Sequence, residues 1–314
     1  MADVAKKEKP ARSKAEAQGN YIFNRKWEPV LYMLPFALGL LVFTIYPIVR
    51  VVIMAFQEKY RLSGRYDGFG LYNFQYVLGN DDFRNAISNT FIYVFTVVPI
   101  ATVLAILIAN LLNQKIRGMA IFQTAYFLPM VTSSIAVGLS WRYIFNSQIG
   151  VMNWLLSLFG IEAVDWLGAS GGVAPWNIVA VIIFGVWNML PFTIILLLSG
   201  LQNIDPMYYT AAKVDGAGSR KIFFRITVPL LAPTIFLTMI INMISAFKVY
   251  NEIIPFWSGR PGAINNLYTM VYFIKEQFYS KDRLGFASAA AIILFLIIFT
   301  FTMLQRYVQR KFRY

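Results

Sequence analysis

Residues 205–229 read DPMYYTAAKVDGAGSRKIFFRITVP and form the one long polar, strongly cationic segment in the C-terminal half of the chain. Asp205 followed by Pro206 is typical of a helix start, because the carboxylate accepts a hydrogen bond at the N-cap and proline has no amide proton to leave unpaired. Gly216 and Gly218 supply the matching stop, since glycine enters the left-handed cap conformation freely. The pattern predicts a helix of about three turns between them.

The second half of this stretch predicts another short helical segment. Ser219 is placed to cap residues 220–226, whose Phe223 and Phe224 lead into the next apolar run. A cationic helix that is too short to span a bilayer and lies between two apolar runs is typical of a docking element on the cytoplasmic face.

The composition indicates a membrane protein that crosses the bilayer several times. Of the 314 residues, 58% are hydrophobic and only 14% are charged, and the mean hydropathy is +0.57. Long uncharged runs at this composition are typical of a polytopic membrane protein rather than of a large soluble core. The chain has no Cys and no His, which argues against thiolate chemistry and against a zinc or haem site.

We therefore expect an all-α fold, a polytopic membrane helix bundle with six transmembrane helices. The six-span domain covers residues 29–306, and residues 203–229 form a cytoplasmic loop within it. Residues 1–28 are expected to be a disordered cationic cytoplasmic tail, and residues 307–314 a second cytoplasmic tail. The six spans are expected at about residues 30–56, 86–112, 119–145, 175–200, 227–250 and 284–306.

The distribution of positive charge decides between six and seven spans. Residues 143–161 are also uncharged, but several Asn, Ser, Gln and Gly residues interrupt them, which is costly in lipid. With six spans and both termini inside, 17 of the 28 Lys and Arg lie on the cytoplasmic side and 8 on the outer side. A seventh span would move the cationic loop outward, against the positive-inside rule. The net charge of +13 thus reflects topology and attraction to anionic lipid rather than binding of nucleic acid.

The spacing within residues 205–229 resembles the EAA motif of the membrane subunits of binding-protein-dependent ABC importers. An Ala-Ala pair is followed by three residues and a glycine, then by nine residues and an Ile-x-Val-Pro end. Thr210 stands where the family usually has Glu, and Val228 where it usually has Leu. The matching positions are Ala211, Ala212, Gly216, Ile226 and Pro229.

The resemblance covers nearly the whole chain, and it is to the carbohydrate branch of these permeases, the six-span kind related to maltose, multiple-sugar and glycerol-phosphate permeases. It implies a type I ABC importer permease fold in a bacterial or archaeal inner (plasma) membrane. It also implies four kinds of partner, namely membrane lipid, a second homologous permease, two ATPase subunits and an extracytoplasmic substrate-binding protein. Further phrases that carry the resemblance are residues 32–56, 73–90, 127–129, 141–156, 165–168 and 187–202.

In that family the loop forms coupling helices that insert into a cleft of the ATPase subunit. The resemblance therefore implies that the ATPase-docking residues are Tyr209, Thr210, Ala211, Ala212, Asp215, Gly216 and Ala217.

Polar and aromatic side chains on two spans predict a path for substrate. In the fourth span they share one face at helical spacing, where Pro191 frees a backbone carbonyl, and the fifth span carries a similar stripe. In maltose permease-like relatives the sugar contacts fall on these two helices. Packing remains an alternative for Trp187 and Phe192, and a bond to a neighbouring helix remains one for Asn242 and Ser245. The candidate path residues are Gly185, Asn188, Met189, Phe192, Asn242, Ser245, Ala246 and Val249.

The chain carries no sequence signature of an enzyme. Residues 216–221 lack the GK[ST] end of a phosphate-binding loop, and without His there is no His-based triad. No paired carboxylates lie within a span, which weakens a proton-coupled transporter. We therefore expect no enzymatic activity and no cofactor in this chain, with ATP and Mg²⁺ bound by the partner ATPase subunits.

Three functions remain open. The first is the permease subunit of an ABC importer for a sugar or oligosaccharide, and the second is the same architecture for an anion such as glycerol 3-phosphate, a uronate or a sulfonated sugar. The third is a self-sufficient secondary transporter or channel. Arg50, Arg142 and Lys248 fall toward the outer ends of their spans, where they either snorkel to the interface or form an electropositive vestibule for an anionic substrate.

Overall fold

The computed structural model describes residues 28–114, 118, 121, 124, 126, 127, 130, 132–168, 176–257 and 267–311. It divides into two compact units, Met1–Ile53 and Met54–Tyr314, and each is described by itself. Every regular element of the described residues is helical, which confirms the all-α prediction.

Ten helices are numbered here along the chain. α1 runs through Glu28–Leu40, Leu41–Ile45 and Tyr46–Phe56, and α8 through Ser219–Ile222, Phe223–Thr227 and Val228–Phe247. The remaining helices are α2 (Tyr72–Gly79), α3 (Asp81–Leu112), α4 (Ser134–Ile144), α5 (Val151–Ser157), α6 (Trp176–Gln202), α7 (Pro206–Val214), α9 (Met270–Lys275, extended by Glu276–Ser280) and α10 (Leu284–Lys311).

Five helices in the described part of the chain are long and apolar enough to cross a membrane, namely α1, α3, α6, α8 and α10. They coincide with five of the six expected spans. The third expected span, residues 119–145, is described only in part: eight of residues 119–131 lie outside the described residues, and Ser134–Ile144 form α4. The expected disordered tail lies outside them as well, whereas α10 continues to Lys311, so most of the second expected tail extends the last helix.

The core of the larger unit is built on the contact between α3 and α6. The face of α3 toward α6 carries small residues at four-residue spacing, Ala101, Ala105 and Ala109, all fully buried. Small side chains let two helix backbones approach closely in a bilayer, where dispersion contacts replace the hydrophobic effect as the source of stability. α8 packs against both helices, and α10 packs against α8, α9 and α2.

α8 corrects the expectation of a separate short segment after the loop. The chain is helical without interruption from Ser219 to Phe247, and Gly218 rather than Ser219 occupies the N-cap, with no capping bond from a side chain. A π-helical turn at Phe223–Thr227 precedes Pro229, and Val228 N donates to Phe223 O across it. Proline clashes with the carbonyl four residues before it, and a π-turn relieves that clash without ending the helix.

Candidate functional site

The loop between α6 and α8 begins with the N-cap that the sequence predicts. Asp205 has an extended backbone, with φ −60° and ψ 125°, and its carboxylate accepts a hydrogen bond of 2.8 Å from Met207 N. Pro206 occupies the first helical turn, where its missing N–H costs nothing. A cap of this kind contributes about 0.5–2 kcal/mol to the stability of a helix.

The C-terminal end of α7 is a Schellman motif centred on Gly216, as the sequence predicts for this glycine. Gly216 has φ +70°, and its N–H donates to Lys213 O at 3.1 Å. Ala217 N donates to Ala212 O at 2.9 Å, which completes the pair of bonds that satisfies the last helix carbonyls. Gly218 has φ −69°, which any residue can adopt, so this position does not require glycine. Of the two predicted stop residues, only Gly216 adopts the left-handed conformation.

α7 presents apolar side chains to solvent. Met207 is 66% exposed, Tyr208 50% and Val214 83%, which is unusual on a surface outside the membrane. Among the predicted docking residues, Thr210, Ala211, Asp215 and Gly216 are exposed, and Tyr209 and Ala217 are partly buried.

Two predicted docking residues, Ala212 and Thr210, have surroundings that bear on the docking prediction. Ala212 is only 7% exposed, so its side chain offers a partner little surface. Thr210, which replaces the family's Glu, donates its hydroxyl to Pro206 O at 3.2 Å within the helix. Thr210 therefore bonds within α7 and, being uncharged, supplies no charge for a salt bridge.

A cavity of about 160 Å³ opens between α3, α6 and α8 in the larger unit. Seven of the eight predicted path residues line it: Gly185, Asn188, Met189, Phe192, Asn242, Ser245 and Ala246. The shared helix faces predicted for α6 and α8 are therefore observed, and the two faces meet across one cavity.

Val249 is the exception among the predicted path residues. Helix α8 ends at Phe247, since Lys248 N and Val249 N turn back to Ser245 O and Ala246 O in a tightened last turn. Val249 consequently leaves the helical register of the stripe, and its side chain is buried in the protein core. Its carbonyl accepts a hydrogen bond from Thr269 Oγ1 at 3.1 Å.

Asn242 both lines the cavity and bonds a neighbouring helix. Its Nδ2 donates to Thr193 Oγ1 on α6 at 2.9 Å, and the Thr193 hydroxyl donates in turn to Met189 O at 2.7 Å. This chain of bonds fixes the amide orientation and ties α8 to α6 beside Pro191. Trp187 packs instead on the rings of Trp141 and Phe184, so for this residue the packing alternative is correct.

Two lining residues escaped the sequence analysis, Tyr93 on α3 and Glu252 in the turn after α8. Tyr93 approaches α6 at Gly185, where an added Cβ would lie 2.3 Å from the Tyr93 hydroxyl oxygen. Glu252 was missed because only carboxylates within spans were considered, and this one is five residues beyond the end of α8. The sequence signal that could have pointed to Glu252 is its position among aromatic and apolar residues just past a predicted span.

Glu252 is the one charged residue among the described residues that line the cavity. It is partly buried, and its Oε2 accepts a hydrogen bond from Tyr250 N at 3.2 Å. Burial raises the pKa of this carboxyl above its ordinary value, and backbone hydrogen bonds oppose part of that effect. Arg142 and Lys248 are exposed and line no part of this cavity. The electropositive vestibule at the outer ends of the spans stays a prediction.

Comparisons with known proteins agree with one another. Residues 77–314 match the family model described as the binding-protein-dependent transport system inner membrane component. The chain is 33% identical over 295 residues to the arabinooligosaccharides transport system permease protein AraP of Halalkalibacterium halodurans, covering 92% of this chain and 90% of that protein. It is 29% identical to the trehalose/maltose transport system permease protein MalF of Thermococcus litoralis, covering 89% of this chain and 92% of that one.

Among solved structures, the fold resembles a chain of a bacterial ABC transporter involved in the import of the acidic polysaccharide alginate. The TM-score is 0.79 at 22% sequence identity, and the match covers 96% of this chain and 99% of that one. At this identity the likeness establishes the fold of the permease. The chain belongs to the binding-protein-dependent ABC transporter permeases, in their carbohydrate family, and is a multi-pass transport subunit of the inner membrane rather than an enzyme.

Proposed function

We propose that this chain forms, with a second homologous permease, the translocation path for a sugar or oligosaccharide. An extracytoplasmic binding protein delivers the substrate, and ATP hydrolysis in two partner ATPase subunits drives transport by alternating access. Both termini and the α6–α8 loop lie on the cytoplasmic side of a bacterial or archaeal membrane.

The observation that carries this proposal is the capped, exposed helix α7 between two spans. Its ends are fixed by the Asp205 cap and the Gly216 Schellman motif, so the helix persists without a partner covering it. Its exposed Met207, Tyr208 and Val214 offer an apolar ridge that a protein cleft would bury. Short segments of three to four residues join α7 to α6 and to α8. A rigid helix connected in this way can pass a displacement from the ATPase to both of these cavity-lining helices.

The cavity supports a saccharide as substrate. Residues with amide or hydroxyl groups, Asn188, Asn242, Ser245 and Tyr93, line it together with the aromatic residue Phe192. Such groups match sugars, whose hydroxyls donate and accept hydrogen bonds and whose C–H faces pack on aromatic rings. The similarity to permeases named for arabinooligosaccharides and trehalose/maltose supports the same substrate class.

The proposal is tested by purifying the chain with its native membrane partners and measuring ATPase activity in proteoliposomes. Binding proteins from the same cell, loaded with candidate saccharides, are added one at a time. We expect one loaded binding protein to stimulate ATP hydrolysis and uptake together, and the same protein without sugar to stimulate much less. Solute uptake by vesicles that contain this chain alone would refute the proposal and favour a secondary transporter.

A further inference from the structure

The turn that follows α8 places a carboxylate at the cavity. Glu252 lies between Val249 and Ile253, which are 1% and 3% exposed and hold the turn in the core. Ile253 N donates to Tyr250 O at 3.1 Å, and Tyr250 N donates to Glu252 Oε2 at 3.2 Å. The backbone bonds and the buried flanks fix the carboxylate position, so its place in the cavity wall is a property of the fold.

No cation balances this carboxylate within the described part of the chain. None of the ion pairs there involves Glu252, and the hydrogen bonds to its carboxylate from those residues come from backbone N–H groups, that of Tyr250 at 3.2 Å among them. The other described residues that line the cavity are neutral. A partly desolvated and unpaired charge is costly to folding, and such groups are found chiefly at functional sites.

The neutral lining also shapes the field inside the cavity. A space of about 160 Å³ holds few mobile counterions, so a charge in its wall is screened less than one in bulk water. A solute anion in this space would meet repulsion from Glu252 with no compensating cation. A sugar hydroxyl would instead donate to the carboxylate, and such charge-assisted hydrogen bonds are about twice as strong as neutral ones.

We propose that Glu252 is a specificity-determining residue of the passage, which accepts a hydroxyl of a neutral saccharide and rejects anionic saccharides. The inference rests on the proposed sugar-permease function and names its substrate class. The related fold of the alginate importer belongs to a protein whose cargo is acidic. The charge of the cargo is thus set by side chains such as Glu252 rather than by the shared fold.

The absence of Cys from the chain permits a direct measurement of the cavity potential. Ser245, which lines the same cavity, is replaced in a Ser245→Cys variant of the purified complex. The introduced thiol is modified with two methanethiosulfonates of similar size, one with a trimethylammonium group and one with a sulfonate group. The ratio of the two rates reports the electrostatic potential, because any change in thiol reactivity affects both rates equally.

In the Ser245→Cys variant, we expect Glu252→Gln to lower the ratio of the modification rate with the cationic reagent to that with the anionic reagent by about tenfold or more. This follows from removing one nearby charge from a poorly screened site. Glutamine keeps an oxygen for the bond from Tyr250 N, so the turn is preserved. Glu252→Asp retains the charge and should keep the ratio close to that of the parent. Glu162→Gln removes an exposed acid that does not line the cavity, and it should leave the ratio unchanged.

An unchanged ratio in Glu252→Gln, or an equal change in Glu162→Gln, would overturn the inference. Stimulation of ATPase activity by a binding protein loaded with an anionic saccharide, equal to that by a neutral one, would overturn it as well. Failure of the proposed function would be seen separately, as ATPase activity in the unmodified complex that no loaded binding protein stimulates. The two failures are therefore distinguishable.

Discussion

Replacement of Gly216 by valine tests the mechanical role of the cytoplasmic loop. Gly216 has φ +70°, and no heavy atom lies within 4 Å of the position a Cβ would take. The penalty for Gly216→Val is therefore conformational and involves no collision with neighbouring groups. Holding an L-residue in the left-handed region costs about 1–2 kcal/mol, and more for a β-branched side chain.

If the backbone of Gly216→Val leaves the left-handed region instead, α7 loses its Schellman bonds. These are the bonds from Gly216 N to Lys213 O and from Ala217 N to Ala212 O, each worth about 0.5–1.5 kcal/mol. Either route disfavours the docked geometry by about 1–3 kcal/mol. That penalty corresponds to a loss of roughly fivefold to a hundredfold in the affinity of the loop for its partner.

The assay compares ATPase retention on purification, ATP hydrolysis stimulated by a loaded binding protein, and sugar uptake in the same proteoliposomes. Gly218→Val is a matched control, since Gly218 lies two residues away, is also exposed and has φ −69°. We expect Gly216→Val to insert normally but to lose coupling, and Gly218→Val to retain most of it. Gly216→Asn should fall between them, because asparagine tolerates the left-handed region. Equal and normal coupling in the two valine variants would refute the reasoning.

Two further substitutions probe the cavity and the outer loops. Gly185→Ala should push the ring of Tyr93 aside, since the new Cβ would lie 2.3 Å from its hydroxyl oxygen. The strain should cost about 1–3 kcal/mol and slow sugar uptake. Gly79→Ala is the control, because no heavy atom lies within 4 Å of the new Cβ, and it should leave uptake unchanged. Normal uptake in Gly185→Ala would contradict the close contact. Asn153→Ala should lower the free energy of unfolding by about 2–4 kcal/mol, because it leaves several groups without a hydrogen-bond partner. These are Trp166 Nε1, which lies 2.8 Å from Asn153 Oδ1, and the backbone groups of Ser147 and Val164 bonded to the same side chain. Thermal unfolding in detergent measures this loss, and an unchanged midpoint would show that the bonds contribute little.

The sequence alone was sufficient for the features that depend on neighbouring residues. Asp205 before Pro206 and Gly216 at the far end specify α7, because a cap bond and a left-handed turn each involve residues a few positions apart. Long uncharged runs specify spans, since the cost of placing charge in hydrocarbon depends on composition. The common faces of α6 and α8 also followed from helical spacing, and seven of the predicted residues line one cavity.

The tertiary structure decided which groups meet in the cavity and where the helices stop. Tyr93 joins α6 only because Gly185 allows a close approach, and Glu252 reaches the cavity through a turn held by buried neighbours. Val249 left its predicted stripe because the last turn of α8 tightens, and Ala212 is buried although its motif suggested a contact surface. These outcomes depend on contacts between residues far apart in the chain, and helical periodicity carries no information about such contacts. The position of a carboxylate at the cavity therefore emerges only when the helices have packed.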